Sequence, residues 1–414
     1  MCLLKLVPTA SILMCVTAAC MVVMVTPAAA QRTTATWQIG TPIATYWAGP
    51  PMTEATAKQM AEGGWNLVWC REEELDTAQR FGLRALLRDG LINPQSLEDP
   101  AKRQELQALL ARVKDHPALY AYYLTDEPSA PHFPALGKLV AYLREQDPAH
   151  LAYINLFPTY ASNEQLGTKG DTVTAYAEHL RQYVEVVQPG LISYDHYHFT
   201  AKGDGAQYFL NLGMIRRKAL EAGVPFLNIV QACTWTPAMR IPTPEELTWL
   251  VYTSLAYGAQ GISYYVYSHP RHEGAMALAD GTPTPLYHAA SRLNREFVAI
   301  ATQLQPLRSL GAYHVGDVPV GAEALPDDAA VALEPPAPAA GLLIGLFGRD
   351  SAATHAVIVN LDYKEAVPAT LVAPRRVRVF QCGSGRWRAS GTGKKVTLEL
   401  DAGSGALVRW GRLR

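Results

Sequence analysis

Asp126 and Glu127 stand side by side at the end of an apolar run, Leu119 to Leu124, immediately before Pro128. Two carboxylates at the end of a buried segment need a reason, because an unpaired charge is costly to bury. One reason is structural: an acid ahead of a helix beginning near His132 serves as its N-cap. The other is catalytic. Crowding by Asp126 and by aromatic neighbours raises the pKa of Glu127, so that it keeps a proton for a leaving oxygen. Cleavage of a glycosidic bond needs that acid and a second carboxylate, whose distance from the first decides the stereochemical outcome. Asp195, within Ile192-Ser-Tyr-Asp-His-Tyr-His-Phe199, is the second candidate, with the orientation of His196 or Arg71 as its structural alternative. Glu273 and Asp280 are fallbacks in a later loop, and Glu72 to Glu74 read as a solvated helix face.

Around these acids the sequence places residues suited to sugars. Flat aromatic faces suit the C–H faces of pyranose rings, and Trp47, Trp69, Tyr194, Tyr197, Trp235 and Tyr267 all fall at or just beyond the ends of apolar runs. Arg71, Asn155, His196 and Gln231 fall at the same level and are candidates for binding hydroxyls. His196, His198, His269 and His272 raise the question of a metal, but no third ligand follows from their spacing, and no metal or cofactor is expected. Neither a G-x-S-x-G elbow nor a phosphate-binding loop occurs.

The elements that must position these residues are legible as alternation. Apolar runs at 42–47, 66–69, 83–87, 119–124, 151–156, 191–194, 226–230 and 262–267 read as strands buried on both faces. Amphipathic stretches such as Pro100 to Lys114 and Pro244 to Tyr257 follow them as crossover helices. Eight such units predict an α/β chain with a (β/α)8 TIM barrel over residues 36–312, with functional residues at the C-terminal ends of the strands. A doubly wound open sheet is the alternative, but no G-x-G-x-x-G follows the first strand. Beyond a Pro- and Ala-rich stretch at 325–340, short strands at 356–361, 376–380, 396–400 and 406–410 predict a small C-terminal antiparallel β-sandwich over 313–414. Packing against the barrel is its expected role, with a separate carbohydrate-binding module as the alternative.

Composition narrows the partners. The 414 residues carry 36 Lys plus Arg against 37 Asp plus Glu, so no basic excess draws the chain to nucleic acid. Residues 1–30 read as a signal peptide: Lys5, an apolar run from Leu6 to Val25, then Pro27-Ala-Ala-Ala30. A secreted or periplasmic chain with no span in its mature part is expected; a retained anchor or a lipid on Cys20 are the alternatives. Cys70, Cys233 and Cys382 remain after cleavage, without metal-ligand spacing, and read as buried free thiols. Nothing in the sequence specifies an oligomer.

Three phrases, Ala121-Tyr-Tyr-Leu-Thr-Asp-Glu-Pro128, Ser193-Tyr-Asp-His-Tyr197 and Gly258-Ala-Gln-Gly-Ile-Ser-Tyr-Tyr265, together resemble secreted bacterial glycoside hydrolases, in the clan that includes the family 42 β-galactosidases. The resemblance implies an oligo- or polysaccharide substrate and makes Glu127 the acid/base. It also carries two departures: Asp126 stands where the clan usually has Asn, and strand seven offers Gln231 where the clan has its nucleophilic Glu. A neutral amide does not form a glycosyl ester, so either Asp195 replaces it or the mechanism differs. Adjacent Asp and Glu also resemble the substrate-assisted hexosaminidases, which would make Asp126 the holder of an acetamide and Tyr194 or Tyr197 the donor to its oxygen. A non-catalytic carbohydrate-binding barrel is the third reading, consistent with Gln231.

Overall fold

The computed structural model describes residues 42–334, 340–389 and 393–411; the signal-peptide segment, with Cys2, Cys15 and Cys20, lies outside the described residues. Eight parallel strands form the barrel: β1 (Ile43–Trp47), β2 (Leu67–Cys70), β3 (Arg84–Leu87), β4 (Leu119–Asp126), β5 (Leu151–Leu156), β6 (Ile192–His196), β7 (Phe226–Gln231) and β8 (Gly261–Tyr265). Each pairs with its sequence neighbour from β2 to β8, and β8 pairs with β1. The remaining seam, between β1 and β2, is closed by individual bonds. Asn66 N donates to Ala44 O at 3.0 Å, its Oδ1 accepts from Ala44 N at 2.9 Å, and Trp69 Nε1 donates to Tyr46 O at 2.7 Å. Asn and Trp at these positions thus supply through side chains what a ladder supplies elsewhere.

Period-two alternation fills the interior. Ile43, Leu67, Leu86, Leu151, Leu191, Leu227 and Ile229 pack on the barrel axis, and Trp47, Tyr123 and Tyr153 close this core toward the C-terminal end. The opposite residues of each strand pack outward on the crossover helices. The helix Pro244–Tyr257 shows why such segments form where they do: Thr243 and Glu246 cap each other's backbone N–H, Pro244 occupies the first turn, and Gly258 at φ 93° ends it. The helix expected from Pro100 spans Pro100–Val113. No helix of the described residues is long and apolar enough to cross a membrane.

After the helix Pro285–Leu304 the described residues form strands and turns. The strands β9 (Arg308–Val315), β10 (Leu342–Gly348), β11 (His355–Asn360), β12 (Val367–Val372), β13 (Val377–Gln381), β14 (Arg386–Ala389), β15 (Lys395–Leu400) and β16 (Gly405–Trp410) build two sheets. In the larger, β9, β10, β11, β16, β13 and β14 lie side by side and antiparallel; β12 and β15 pair in the smaller. Leu342, Ile344 and Ile358 from one sheet meet Leu371, Val396 and Leu398 from the other, which makes the region a sandwich. The alternate residues Leu343, Phe347, Val357 and Leu407 join the barrel's outer core. The approach is closest at Gly345, where a Cβ would lie 2.0 Å from Ala256 O. Cys70, Cys233 and Cys382 are free thiols, the first two buried.

Candidate active site

The carboxylates come together at the C-terminal ends of β4 and β6. On β4 the register against β5 shifts between Tyr123 and Thr125, a bulge that re-aims the residues beyond it. Glu127 follows in a left-handed conformation at φ 44°, its N–H donating to Asn155 O at 2.9 Å. A side chain other than glycine is disfavoured there, and such backbone is held in place only by its surroundings, as at many functional sites.

Asn155 on β5 organises the centre. Its Nδ2 donates to Asp126 Oδ1 and to Asp195 Oδ1, both at 3.0 Å, while its Oδ1 accepts from Ser193 Oγ at 3.1 Å. Ser193 in turn shares a 2.7 Å hydrogen bond with Tyr153 OH, so the amide is held from below by the barrel interior. This anchoring leaves Asn155 a single rotamer in which both acids are served.

Asp195 is 3% exposed and takes further hydrogen bonds from the Tyr197 hydroxyl and from the Glu127 carboxyl. A hydrogen bond between two carboxyl groups requires a proton, and the surroundings supply the reason it stays. Burial, then the charges of Asp195 and Asp126, push Glu127 up to about 9. Burial also raises Asp195, to about 7, against the opposing bond from Asn155. Asp126 opens to solvent at the mouth, yet desolvation by its neighbours still raises its carboxyl above the ordinary value. Burial and mutual repulsion thus favour a retained proton in the cluster, on Glu127 most of all.

Two adjoining hollows open onto this cluster. The smaller, about 180 Å³, lies over the barrel axis and is walled by Trp47, Asp126, Asn155 and Tyr265. The larger, about 550 Å³, is walled by Tyr160, Thr200, Gln207 and Met239 among others. Glu127, Asp195, Tyr197 and Trp235 line both. Tyr197 packs on Trp235 at 4.8 Å and on Tyr265 at 5.1 Å between ring centroids, and Trp47 packs edge-on against Trp69 at 4.9 Å. The aromatic residues form a continuous wall around the acids.

Asp126, Glu127, Asp195, Asn155, Trp47, Tyr197 and Trp235 are thus brought together as the sequence anticipated, with Trp69 supporting Trp47 from behind. Others are placed differently. Tyr194 turns outward among Tyr208 and Tyr176 of the helical layer, with its hydroxyl buried and unpartnered, so it is not the donor to an acetamide. His196 shares that outward parity: its Nδ1 bonds Asn211 Oδ1 at 2.9 Å, and it lines the larger hollow. Burial lowers its pKa to about 3, which keeps it neutral. Tyr267 donates to Gln59 Oε1 at 2.7 Å and packs on Trp65, because β8 ends at Tyr265, two residues earlier than expected. Arg71 is exposed, 3.9 Å from Glu73, and lines neither hollow.

Gln231 reaches neither hollow. Its Oε1 accepts from Phe199 N at 2.9 Å and its Nε2 donates to Phe199 O at 3.0 Å and Arg240 O at 2.6 Å. It ties two loops together. Glu72 pairs with Arg112, Glu273 lies in a short exposed ribbon with Thr234, and Asp280 caps its own turn. The four histidines do not converge, since His198 stacks on Trp249 while His269 packs on His272 in the loop after β8. Tyr153, Tyr160, Ser193 and Tyr265 are the residues that sequence reading passed over. Tyr153 and Ser193 sit two positions before Asn155 and Asp195, so the strand period alone signals that they share a face with them.

No known family model matches the chain, and no curated protein matches it. Solved structures do. A family 39 glycoside hydrolase from Bacteroides cellulosilyticus WH2 is similar with a TM-score of 0.50 at 11% identity, covering 91% of this chain and 82% of that one. A structure described as a glycoside hydrolase gives 0.53 at 13% identity, over 88% and 91%. A family 5 glycoside hydrolase from Bacteroides vulgatus gives 0.53 at 12% identity, over 88% and 87%. At this identity the likeness is one of fold, the (β/α)8 barrel, and these structures are of glycoside hydrolases.

Proposed function

We propose that the protein is an exported glycoside hydrolase with Glu127 as its general acid. The observation that carries this reading is geometric: Glu127 stands against Asp195 and Asp126 at the C-terminal end of a barrel strand, over a hollow walled by aromatic side chains, and burial raises its carboxyl. Aromatic faces bind sugar rings, Asn155 and Asp126 serve hydroxyls, and Glu127 delivers its proton to the departing oxygen. The barrel fold is shared with glycoside hydrolases. The apolar run at 6–25 followed by Ala28-Ala-Ala30 supports export.

The role of Asp195 follows from its contact with Glu127. Carboxyls that act as acid and nucleophile stand about 5–5.5 Å apart, and those that act on an intervening water about 6.5–9.5 Å. With the Glu127 and Asp195 carboxyls in contact, we read Asp195 as keeping the proton on Glu127. That observation favours a second reading within the same class. With Asp195 engaged, Asp126 is the carboxylate left beside the bond to be broken, which suits substrate-assisted cleavage of an N-acetylhexosaminide. Asp126 would hold the acetamide N–H, and Tyr197 or Tyr265 would face its oxygen.

The test is hydrolysis of a panel of glycosides by the mature protein and by Glu127→Gln, with hexosides and N-acetylhexosaminides compared directly. Turnover confined to the parent supports the acid; turnover confined to acetamido sugars supports the second reading. Saturable sugar binding without release of reducing ends by either protein would instead mark a carbohydrate-binding barrel.

A further inference from the structure

The larger sheet of the β-domain sets basic groups side by side. Arg409 on β16 lies directly opposite His355 on β11 and Arg378 on β13, so three basic side chains share one row of the sheet. Like charges placed opposite one another destabilise a sheet, and a buried charge is costly unless it is paired. Arg409 is 8% exposed, yet among the described residues it has neither an ion pair nor a hydrogen bond. Its guanidinium lies over the Trp387 ring, 4.2 Å from the centroid, a contact that serves the face of the group and leaves its N–H edge unused. Trp387 is itself held by Gln303, whose Oε1 accepts from its Nε1 at 3.1 Å. The charges acting within the row are cationic: after burial, Arg378 lowers the pKa of Arg409, and Arg409 lowers that of His355.

Arg409 lines a hollow of about 530 Å³, into which its unpartnered donors open. Arg349 and Arg375, both exposed and neither ion-paired among the described residues, line it as well, against a single carboxylate, Asp350. Gln303 adds an amide nitrogen that has no partner among the described residues. The near balance of the whole chain, 36 basic against 37 acidic residues, hides this local excess. From it we infer that the hollow is a binding site for an oxyanion, a carboxylate or sulfate group, gripped by the edge of Arg409 and flanked by Arg349 and Arg375. Guanidinium edges match such groups with two parallel hydrogen bonds. A hollow of this size takes a sugar acid as well as a free inorganic anion, and the two share the chemistry that the site reads. Gln303 lies in the last turn of the helix that follows β8, and a crossover helix returns to the N-terminal end of the strands. The site therefore lies at the end of the barrel opposite the carboxylates, shares no residue with the hollows beside Glu127, and stands whether or not the protein cleaves glycosides.

Isothermal titration calorimetry tests it, with sodium glucuronate and sodium sulfate as probes and the ionic strength held constant with chloride. Saturable binding is expected, and Arg409→Gln should weaken it by about tenfold or more, the scale of a charge-assisted hydrogen bond lost. Arg375→Gln, at an exposed position, should weaken it less. Tighter binding of glucuronate assigns the site to a sugar acid, and sulfate bound as tightly or more tightly assigns it to a free inorganic anion; both outcomes support the oxyanion site. Where circular dichroism shows Arg409→Gln to be unfolded, the double variant Arg349→Gln/Arg375→Gln decides instead, with the same loss expected. No saturable binding of either anion, or an affinity unchanged in the folded variants, overturns the site. The affinity for both probes should also be the same in Glu127→Gln as in the parent, so that glucuronate held beside the acid is told apart from glucuronate held here; a loss in that variant with none in the arginine variants overturns the site as well.

Discussion

β6 and β7 are neighbours in the barrel, and both carry a polar residue at or next to their C-terminal end, yet Asp195 and Gln231 do opposite work. Asp195 is buried at the edge of the hollows with Asn155, Tyr197 and Glu127 as partners, all of them side chains. Gln231 is fully buried and bonded to three backbone groups of the loops around Phe199 and Arg240. Side-chain partners leave Asp195 free to exchange a proton, while backbone partners make Gln231 a fixed brace. The difference teaches that polarity at the end of a barrel strand marks a candidate only; what its hydrogen bonds are spent on decides whether it reacts. The acids here are gathered at the ends of β4 and β6, while β7 ends in the bracing amide.

The contrast can be broken from either side. The largest effect is expected on the reactive side: Glu127→Gln should lower kcat/KM about 10²–10⁴-fold, the usual contribution of a positioned general acid, with the melting temperature unchanged or raised. Undiminished turnover would refute the acid assignment. On the bracing side, Gln231→Ala strips the partner from Phe199 N and from Arg240 O, while Phe199 O keeps its bond from Arg240 N at 3.2 Å, and should destabilise by about 1–3 kcal/mol for each group left dry. Thermal unfolding would report this. Gln231→Glu should be no better, because a carboxylate cannot donate to Phe199 O or Arg240 O, and it should not add a nucleophile.

A third variant sharpens the chemistry of the pair. Asp195 and Glu127 both have folded-state pKa values raised above their ordinary ones, so the stability they contribute is complete below the ordinary carboxylate range and is lost progressively as pH rises from there to about 7 and about 9. Asp195→Asn should flatten that alkaline decline in melting temperature. It should also pull the basic limb of the pH-rate profile downward, because Glu127 loses a neighbouring negative charge. A basic limb that stays put would show that Asp195 does not act through Glu127.

At the acid end the signs reverse. His179, His196, His314 and His355 are lowered to between about 3 and about 4 by burial, so stability should fall as pH drops below the ordinary histidine value toward 4. Two of these lie in the barrel and two in the β-domain, and circular dichroism should show the two parts losing stability over the same pH window. The smallest effect concerns the seam between them: Gly345→Ala forces a methyl onto Ala256 O and should cost about 1–3 kcal/mol, as overpacking does, without altering the pH profile.

Much of this protein was legible in its residues. Runs of apolar residues alternating with amphipathic ones specify parallel strands and crossover helices, because strands buried on both faces have no polar side to show. All eight barrel strands lie within a few residues of their expected positions, and Asp126, Glu127 and Asp195 fall at the strand ends where barrel chemistry is done. What needed the tertiary structure was direction and partnership. The parity of β6 turns Tyr194 and His196 onto helices while Ser193 and Asp195 face inward, and the early end of β8 puts Tyr265 rather than Tyr267 on the hollow. The bulge on β4 re-aims Glu127, and the Glu127–Asp195 contact joins residues 68 positions apart. Composition and spacing record which groups are present at a strand end; which of them share a proton depends on through-space distances and burial, and those exist only once the barrel has closed.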